Sequence, residues 1–569
     1  MSTYQEISSF IWRVCDDELR GLFKPHEYGD IILPFVVLRR LDCIIEDKKD
    51  KIIEMYGEIK SKVDDPSPIL KRKLGLTFYN SSPFDLKRLK SDPNGLKMNF
   101  PKYLSGFSEN VREIIENFQL DKPIQKLITN KKLYSLIDKF TEVDLHPKRV
   151  DNHLMGSVFE ELLRKFSEMS NETSGEHYTP RDVVRLLVSM VFHPDKDNLL
   201  GEGIIRNIYD PCCGTGGMLT IGKEYVVENI TNEVTFNLYG QELNPQSYSI
   251  CKSDFLITGE SPENIHIGNT LTSDYLEGKK FEYMITNPPF GVSWKSEQTY
   301  IENESQNPLG RFYVGTPRTS DGSLLFLQHL ISKFSPSGSR IGIVFNGSPL
   351  FTGDSGSGES EIRKWIIEND WLECIISLPD QLFFNTGIST YIWIVSNKKN
   401  KKRKGKIQLI DGSSHYQGMK KSLGNKRKLI SEEQRTQLLK IYEDFKENDY
   451  CKIFSNQYFG YTKVTVEQPT VENGKVIKDK KGSIKPNSEL RDYERIPLGE
   501  DIDEYFKREV LPHLPNSWMD RSKDKVGYEI NFTKYFYKYK PLRPIEDILS
   551  DLRGLEMESD GLFNQIVSE

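Results

Sequence analysis

The chain predicts an α/β protein: a doubly wound, largely parallel sheet with a helical N-terminal domain and a mixed, partly helical C-terminal tail. Three observations predict it. Between about 175 and 412, short apolar runs alternate with helical windows, the pattern of a sheet built from strand–helix–strand units. A glycine-rich turn follows the first of those runs, where doubly wound sheets bind ligands. Ahead of them, residues 1–170 carry helical periodicity with no alternating strand run.

A chain of 569 residues and 65.9 kDa exceeds one ordinary core, so three segments are expected: 1–170, 171–415 and 416–569. A net charge of -6 and a pI of 6.0 exclude a uniformly basic nucleic-acid coat, though not a local basic face. Seven cysteines show no C-x-x-C pair, which fits a reducing cytoplasm, and the adjacent Cys212 and Cys213 are too few for a metal, so none is expected. The opening MSTYQEISSFIWRVCDDELRG lacks the basic start of a signal peptide, and the most apolar run, IILPFVVL, is too short to span a bilayer. A soluble cytoplasmic protein without a membrane partner follows.

In chain order, HLMGSVFEELLRKFSEM places Leu154, Val158, Leu162 and Phe166 on one helical face. IIRNIYD, TFNLYGQE, NIHIGN, FEYMITN, RIGIVFN, LECIISLP, TYIWIVSN and KIQLID read as strands, with helical windows such as GSLLFLQHLISKF and SEIRKWIIENDW between many of them. The last strands lack such a helix, which predicts an antiparallel edge. Two polar insertions, 293–320 and 353–360, read as mobile loops. The run NKKNKKRKGK (397–406) suits either a solvated hairpin tip or a DNA-phosphate contact. Past 415 the chain is polar with scattered helices. Near its end Ile545, Leu549 and Leu552 share a helical face, suited to docking a partner or to packing on its own domain.

The candidate site starts at IIRNIYDPCCGTGGML. Gly214, Gly216 and Gly217 let the backbone approach a ligand, and no Lys-Ser/Thr follows them, so this is no phosphate-gripping P-loop. Asp210 at the strand end suits a cationic ligand better than a diphosphate. Glu242 closes the next strand, a position that commonly holds ribose hydroxyls. Together the two acids describe a nucleoside with a positive appendage, S-adenosylmethionine; a dinucleotide such as NAD remains the competing reading. Next, EYMITNPPFG ends a strand in Asn287, Pro288, Pro289 and Phe290. Proline fixes φ and removes a donor, so these residues form a stiff ledge rich in acceptors. Such a ledge fits a planar exocyclic amine, with Phe290 stacking on a base turned out of the duplex. In isolation N-P-P-F reads better as a Pro-rich strand exit with Phe290 in the core; after DPCCGTGG and GQELN in this order, the ledge is the favoured reading.

With these residues in place the chain resembles the N6-adenine DNA methyltransferases, and more closely the modification subunit of type I restriction-modification systems, HsdM. The resemblance rests on DIILPFVVLRRLD, SGEHYTPRDVVRLLVSM, DPCCGTGGML, GQELNP, NPPF, LPDQLFFNTGISTYIWIVSNK, REVLPHLPNSWMD and VGYEINFTKYFY. It implies a catalytic domain at 171–415 with a methyltransferase sheet, and a C-terminal region at 416–569 ending in a partner-docking helix. Glu176, His177, Tyr178, Thr179, Pro180 and Arg181 would line the cofactor site. Thr215, Gly216 and Gly217 would approach its methionine part, Asp210 its amino group and Glu242 its ribose. Asn287 to Phe290 would be catalytic. Asn269 stands in HIGNTL where the family usually has an acid, and would accept from the adenine amino group. From the residues alone, Thr179 reads as a helix N-cap and Pro180 as the first helical residue.

The resemblance implies adenine-N6 methylation of double-stranded DNA, with target sequence supplied by a specificity subunit. It also implies two modification subunits per specificity subunit and a translocating restriction subunit. Three other readings stay open: a self-sufficient DNA adenine methyltransferase, a methyltransferase acting on a protein glutamine, and a non-catalytic cofactor-sensing scaffold.

Overall fold

All eight apolar runs become strands of one sheet: β1 (Ile205–Asp210), β2 (Thr235–Glu242), β3 (Ile265–Ile267), β4 (Tyr283–Thr286), β5 (Arg340–Asn346), β6 (Leu372–Ser377), β7 (Thr390–Ser396) and β8 (Lys406–Asp411). A hairpin follows, β9 (Gln417–Leu423) with β10 (Lys426–Leu429), and then β11 (Cys451–Ser455), the sheet's ninth strand. The computed structural model describes residues 4–170, 179–384, 386–423, 425–472, 475–479, 482–537 and 544–555, in two units, Met1–Ile530 and Asn531–Glu569.

The order is β11-β8-β6-β7-β5-β4-β1-β2-β3. Strands β3, β2, β1, β4 and β5 run parallel. The antiparallel strand expected at an edge is instead interior: β7 pairs with both β5 and β6. All seven residues of β7 are buried, so no face or edge of it meets water. Strand β8 returns parallel to β6, and antiparallel β11 closes that side. The C-terminal ends of β1, β4, β5, β6 and β8 therefore share one edge with the start of β7.

The N-terminal segment is helical, as its periodicity requires. In the helix Asn152–Ser170, Val158 and Leu162 are fully buried and Phe166 is 5% exposed. This helical core continues into Ile250, Leu256 and Ile257 of the helix Pro245–Thr258, which flanks the sheet. Tyr248 and Lys252 of that helix both donate to Glu113, Lys252 Nζ at 2.9 Å. The helical segment is thus part of the wall beside the glycine turn.

Neither polar insertion is a loose loop. Residues 293–320 fold around Trp294, Ile301 and Phe312, which pack with Leu271 and Leu325. Arg311 anchors them, donating to Glu304, to the Thr270 and Leu271 carbonyls (both 2.8 Å) and to His329 Nδ1 (3.0 Å). A sequence window cannot show this, because the partners lie 7 to 41 positions away. At 353–360, Asp354 pairs with Lys463 and Arg495, and Gly358 lets the Thr316 carbonyl approach where a Cβ would sit 1.8 Å away. The 397–406 run is tied down too: Lys399 bonds Asp370 at 2.6 Å and Arg403 bonds Gln408 at 2.8 Å. It joins the end of β7 to the start of β8 past β6, which lies between them, so it is a crossover rather than a hairpin tip, at the sheet edge opposite the glycine turn.

The tail holds more strand than its sequence suggests. Strand β12 (Gly460–Glu467) is followed by the short pair β13 (Val471–Glu472) and β14 (Lys475–Val476), then β15 (Asp492–Pro497) and β16 (Trp518–Tyr528). Strand β12 pairs antiparallel with β15 and β16. The charge-rich DRSKDK within β16 hides it from hydrophobic alternation. In the second unit, residues 545–555 are helical and leave Ile545, Leu549 and Leu552 exposed.

Arg311→Met leaves Glu304 and two carbonyls without their donor, and should destabilise by about 3 kcal/mol. Hydrogen exchange should show residues 298–313 losing protection before β1 and β4 do. Uniform loss across the sheet would contradict a local anchoring role.

Candidate active site

At the end of β1 the chain turns through Gly214 (φ 53°) and Gly216 (φ 86°) into the helix Gly217–Asn229. A Cβ on Gly216 would lie 2.7 Å from Cys251 Sγ, so both the conformation and the space exclude a side chain there. Under this turn lies a cavity of about 430 Å³. Of the residues singled out from sequence, Thr179, Arg181, Asp210, Gly214, Thr215, Gly217 and Asn287 line it. Asn152 and Phe159 of the helix Asn152–Ser170 also line it, which sequence reasoning missed because they belong to the helical segment.

Asp210 is 2% exposed and accepts from Thr286 Oγ1 at 2.6 Å and from Cys212 N at 3.1 Å. Burial pushes its carboxyl up to about 7, opposed by those two bonds and reinforced by Glu242. Thr286 is a second omission from the sequence reading; its place just before N-P-P-F was the available signal. Glu242 is not on the cavity wall. Its Oε2 accepts from Gly214 N (2.8 Å) and its Oε1 from Asn244 N (2.7 Å), so it braces the turn from behind. Asp254 also lines the cavity, and burial raises its carboxyl to about 7, against the pull of Arg181.

Strand β4 delivers Asn287 to the same edge. Asn287 Nδ2 donates to Thr179 Oγ1 at 2.9 Å. Asn287 Oδ1, also buried, has no hydrogen-bond partner among the described residues. A buried acceptor left unpaired is costly in an apoprotein and marks a place for a donor. Pro288 is buried, Pro289 and Phe290 are half-buried, and Phe290 meets Phe383 edge-on with ring centroids 6.3 Å apart.

The helix start differs from expectation. The helix is Arg181–Phe192, and Pro180, with ψ 137°, is its cap residue; its carbonyl receives Val183 N and Val184 N. Thr179 does not cap, because its hydroxyl is engaged by Asn287. Asn269 does not line the cavity: its Nδ2 donates to Glu297 at 3.0 Å and its Oδ1 accepts from Leu271 N at 2.9 Å. Gly216, the Pro288–Phe290 ledge and Pro180 flank the cavity in sequence without lining it. Glu176, His177 and Tyr178 lie outside the described residues.

A strand–glycine turn–helix with a buried acid, joined on one edge by an Asn-Pro-Pro-Phe ledge, is the arrangement of a methyltransferase. The chain belongs to the N-6 DNA methylase family, whose model matches residues 150–466. Residues 7–140 match the HsdM N-terminal domain, in line with the modification subunits of type I restriction-modification systems. Among curated proteins it is 24% identical to the type I restriction enzyme MjaIX methylase subunit of Methanocaldococcus jannaschii, over 83% of each chain. It is 31% identical to the EcoEI methylase subunit of Escherichia coli, over 46% of this chain and 49% of that one. Two solved structures share the fold. The type I methyltransferase subunit from Streptococcus thermophilus has a TM-score of 0.62 at 20% identity, covering 80% of this chain and 96% of that one. A chain from a study of type I complex assembly has a TM-score of 0.54 at 20% identity, covering 100% and 98%.

Asp210 is held neutral by burial, so its sign for stability is opposite to that of a salt-bridged acid. Between about pH 4 and 7 the unfolded chain ionises this group while the folded one does not, and stability falls across that window. Asp210→Asn should therefore raise the ligand-free melting temperature at pH 8 by about 2–4 °C and leave it unchanged below pH 4. A lower melting temperature at pH 8 would contradict a cost of charging this buried group.

Proposed function

We propose that the chain transfers methyl groups from S-adenosylmethionine to the N6 amine of an adenine turned out of double-stranded DNA. It acts as the modification subunit of a type I restriction-modification complex. The observation that carries this is Asn287 Oδ1, a buried acceptor with no hydrogen-bond partner among the described residues, on the wall of the cavity that also holds Asp210. S-adenosylmethionine supplies a methyl group on a sulfonium, electrophilic without further activation.

The residues present fit that cofactor. Burial pushes the Asp210 carboxyl up to about 7, and a neighbouring ammonium favours its charged form, so the cavity selects a positive ligand. The backbone at Gly214, Thr215, Gly216 and Gly217 leaves room for its methionine part, walled by Thr179 and Arg181. By the family resemblance Glu242 serves the ribose and Asn269 the adenine, and residues 176–181 complete the wall. Thr179 holds the Asn287 amide so that its oxygen, not its nitrogen, stays available. That oxygen and the ledge carbonyls would accept both N–H bonds of the target amine, freeing the nitrogen lone pair for in-line attack on the methyl carbon as its bond to sulfur breaks; the thioether leaves and one amine proton passes to solvent. Phe290, braced by Phe383, stacks on the turned-out base.

Target choice falls to a specificity subunit, with two modification subunits per complex and a restriction subunit joining for cleavage. The exposed stripe Ile545, Leu549 and Leu552 is assigned to docking in that complex. The setting is cytoplasmic; among the described residues no helix is long and apolar enough to cross a membrane.

Labelled methyl transfer into DNA, with the modified base identified, tests the reading. Asn287→Ala should lower the rate about 10²–10³-fold while equilibrium binding of S-adenosylmethionine changes less than about twofold. Transfer at the wild-type rate by Asn287→Ala would sink the mechanism.

A further inference from the structure

The hairpin β9–β10 is built as a cationic ribbon at the catalytic edge, and no step above uses it. Between Gly412 and Ser431 the sequence has no Asp or Glu, while Lys420, Lys421, Lys426, Arg427 and Lys428 fall within nine positions. In a chain of net charge -6 the 397–406 run is comparably basic, but it lies at the opposite sheet edge. Its place is set by topology. Strand β8 is parallel to β6 and ends at Asp411, on the same edge where β1 delivers Asp210 and β4 delivers Asn287.

Two of the cations serve as anchors. Lys426 is buried; its Nζ donates to both Asp182 carboxylate oxygens at 3.0 Å and to the Leu382 carbonyl at 2.9 Å. Lys428 bonds Asp380 and lies over the Tyr416 ring, 4.0 Å from its centroid. The backbone is fastened as well: Asn425 N to Phe384 O at 2.7 Å, Arg427 N to Gln381 O at 3.0 Å and Ile430 N to Asp182 Oδ2 at 2.9 Å. Asp182 stands one residue from Arg181 of the cavity wall, and the 380–384 segment carries Phe383, the ring that braces Phe290. Lys420 and Arg427 remain exposed on this fastened frame.

From this placement we propose that the β9–β10 ribbon is a DNA-backbone contact, with Lys420 and Arg427 neutralising phosphates beside the target base. A two-stranded ribbon is an element that duplex DNA can seat along its groove, and exposed cations there recover free energy by displacing condensed counterions. The fastening at five points holds the two exposed cations at the catalytic edge, where a duplex must lie for its base to reach Asn287. The inference rests on the DNA-methylating reading above.

The test is binding of a fluorescein-labelled duplex by the full-length chain across a salt series, comparing wild type with the double variant Lys420→Gln/Arg427→Gln. The variant should bind about tenfold more weakly at ~50 mM salt, with the slope of log affinity against log salt reduced by about two. Cofactor affinity and melting temperature should not move, and Lys420→Arg/Arg427→Lys should retain the wild-type slope. An unchanged slope in the double Gln variant overturns the proposal, as does a wild-type chain without salt-dependent DNA binding. Loss of co-purification with the specificity subunit at unchanged DNA slope also overturns it, and makes the ribbon a protein-docking surface. The catalytic reading fails separately: a wild-type complex that binds DNA with the expected slope but methylates no adenine would sink that reading and leave the ribbon standing.

Discussion

The buried carboxylate of Asp210 organises the molecule around it. Its hydrogen bond from Thr286 spans the ends of β1 and β4, and its bond from Cys212 N starts the glycine turn. Glu242 then holds the far side of that turn through Gly214, so the ends of three neighbouring strands are tied together at one point. Removing a carboxylate from water is unfavourable, and burial pushes this carboxyl up to about 7. The apoprotein is left with an acid that a cationic ligand can charge. Stability has been traded for a binding site, a common arrangement where a site must be ready before its ligand arrives.

Beside it, Asn287 repeats the same logic with a neutral group. Its amide nitrogen is bonded to Thr179, and its buried oxygen has no partner among the described residues. The two prolines that follow limit how far this residue can relax away from the cavity. The bond to Thr179 also connects the ledge to the helix Arg181–Phe192, whose second residue, Asp182, is held by Lys426 of the β9–β10 hairpin. Ledge, helix start and hairpin therefore form one continuous network at the sheet edge.

The elements outside the sheet act as supports for this edge. The helical N-terminal segment shares a hydrophobic core with the helix Pro245–Thr258 and supplies Asn152 and Phe159 to the cavity. The insertion at 293–320 is fastened by Arg311 to the carbonyls of Thr270 and Leu271, and Thr270 Oγ1 in turn bonds the Pro211 carbonyl next to Asp210. What reads as decoration along the chain is buttressing in space.

Much of this was legible in the sequence. The eight strands, the helix Asn152–Ser170, the glycine turn, Asp210 and the Asn-Pro-Pro-Phe ledge follow from local rules: hydrophobic periodicity, the freedom of glycine and the stiffness of proline act within a few residues. Four features were not legible. They are the interior position of β7, the folded state of the two insertions, the strands of the tail, and the use of Thr179 as a partner of Asn287 rather than a cap. Each depends on contacts between residues far apart in the chain; Thr179 and Asn287 are separated by 108 positions. The sequence by itself determined which residues could bind a positive nucleoside and present an amine-accepting ledge, because that is a matter of residue chemistry and backbone stiffness. Only the tertiary structure decided that Asp210, Thr179 and Asn287 share one cavity and that Glu242 also braces the glycine turn through Gly214 N. Burial and pairing across the chain set which acceptors stay open.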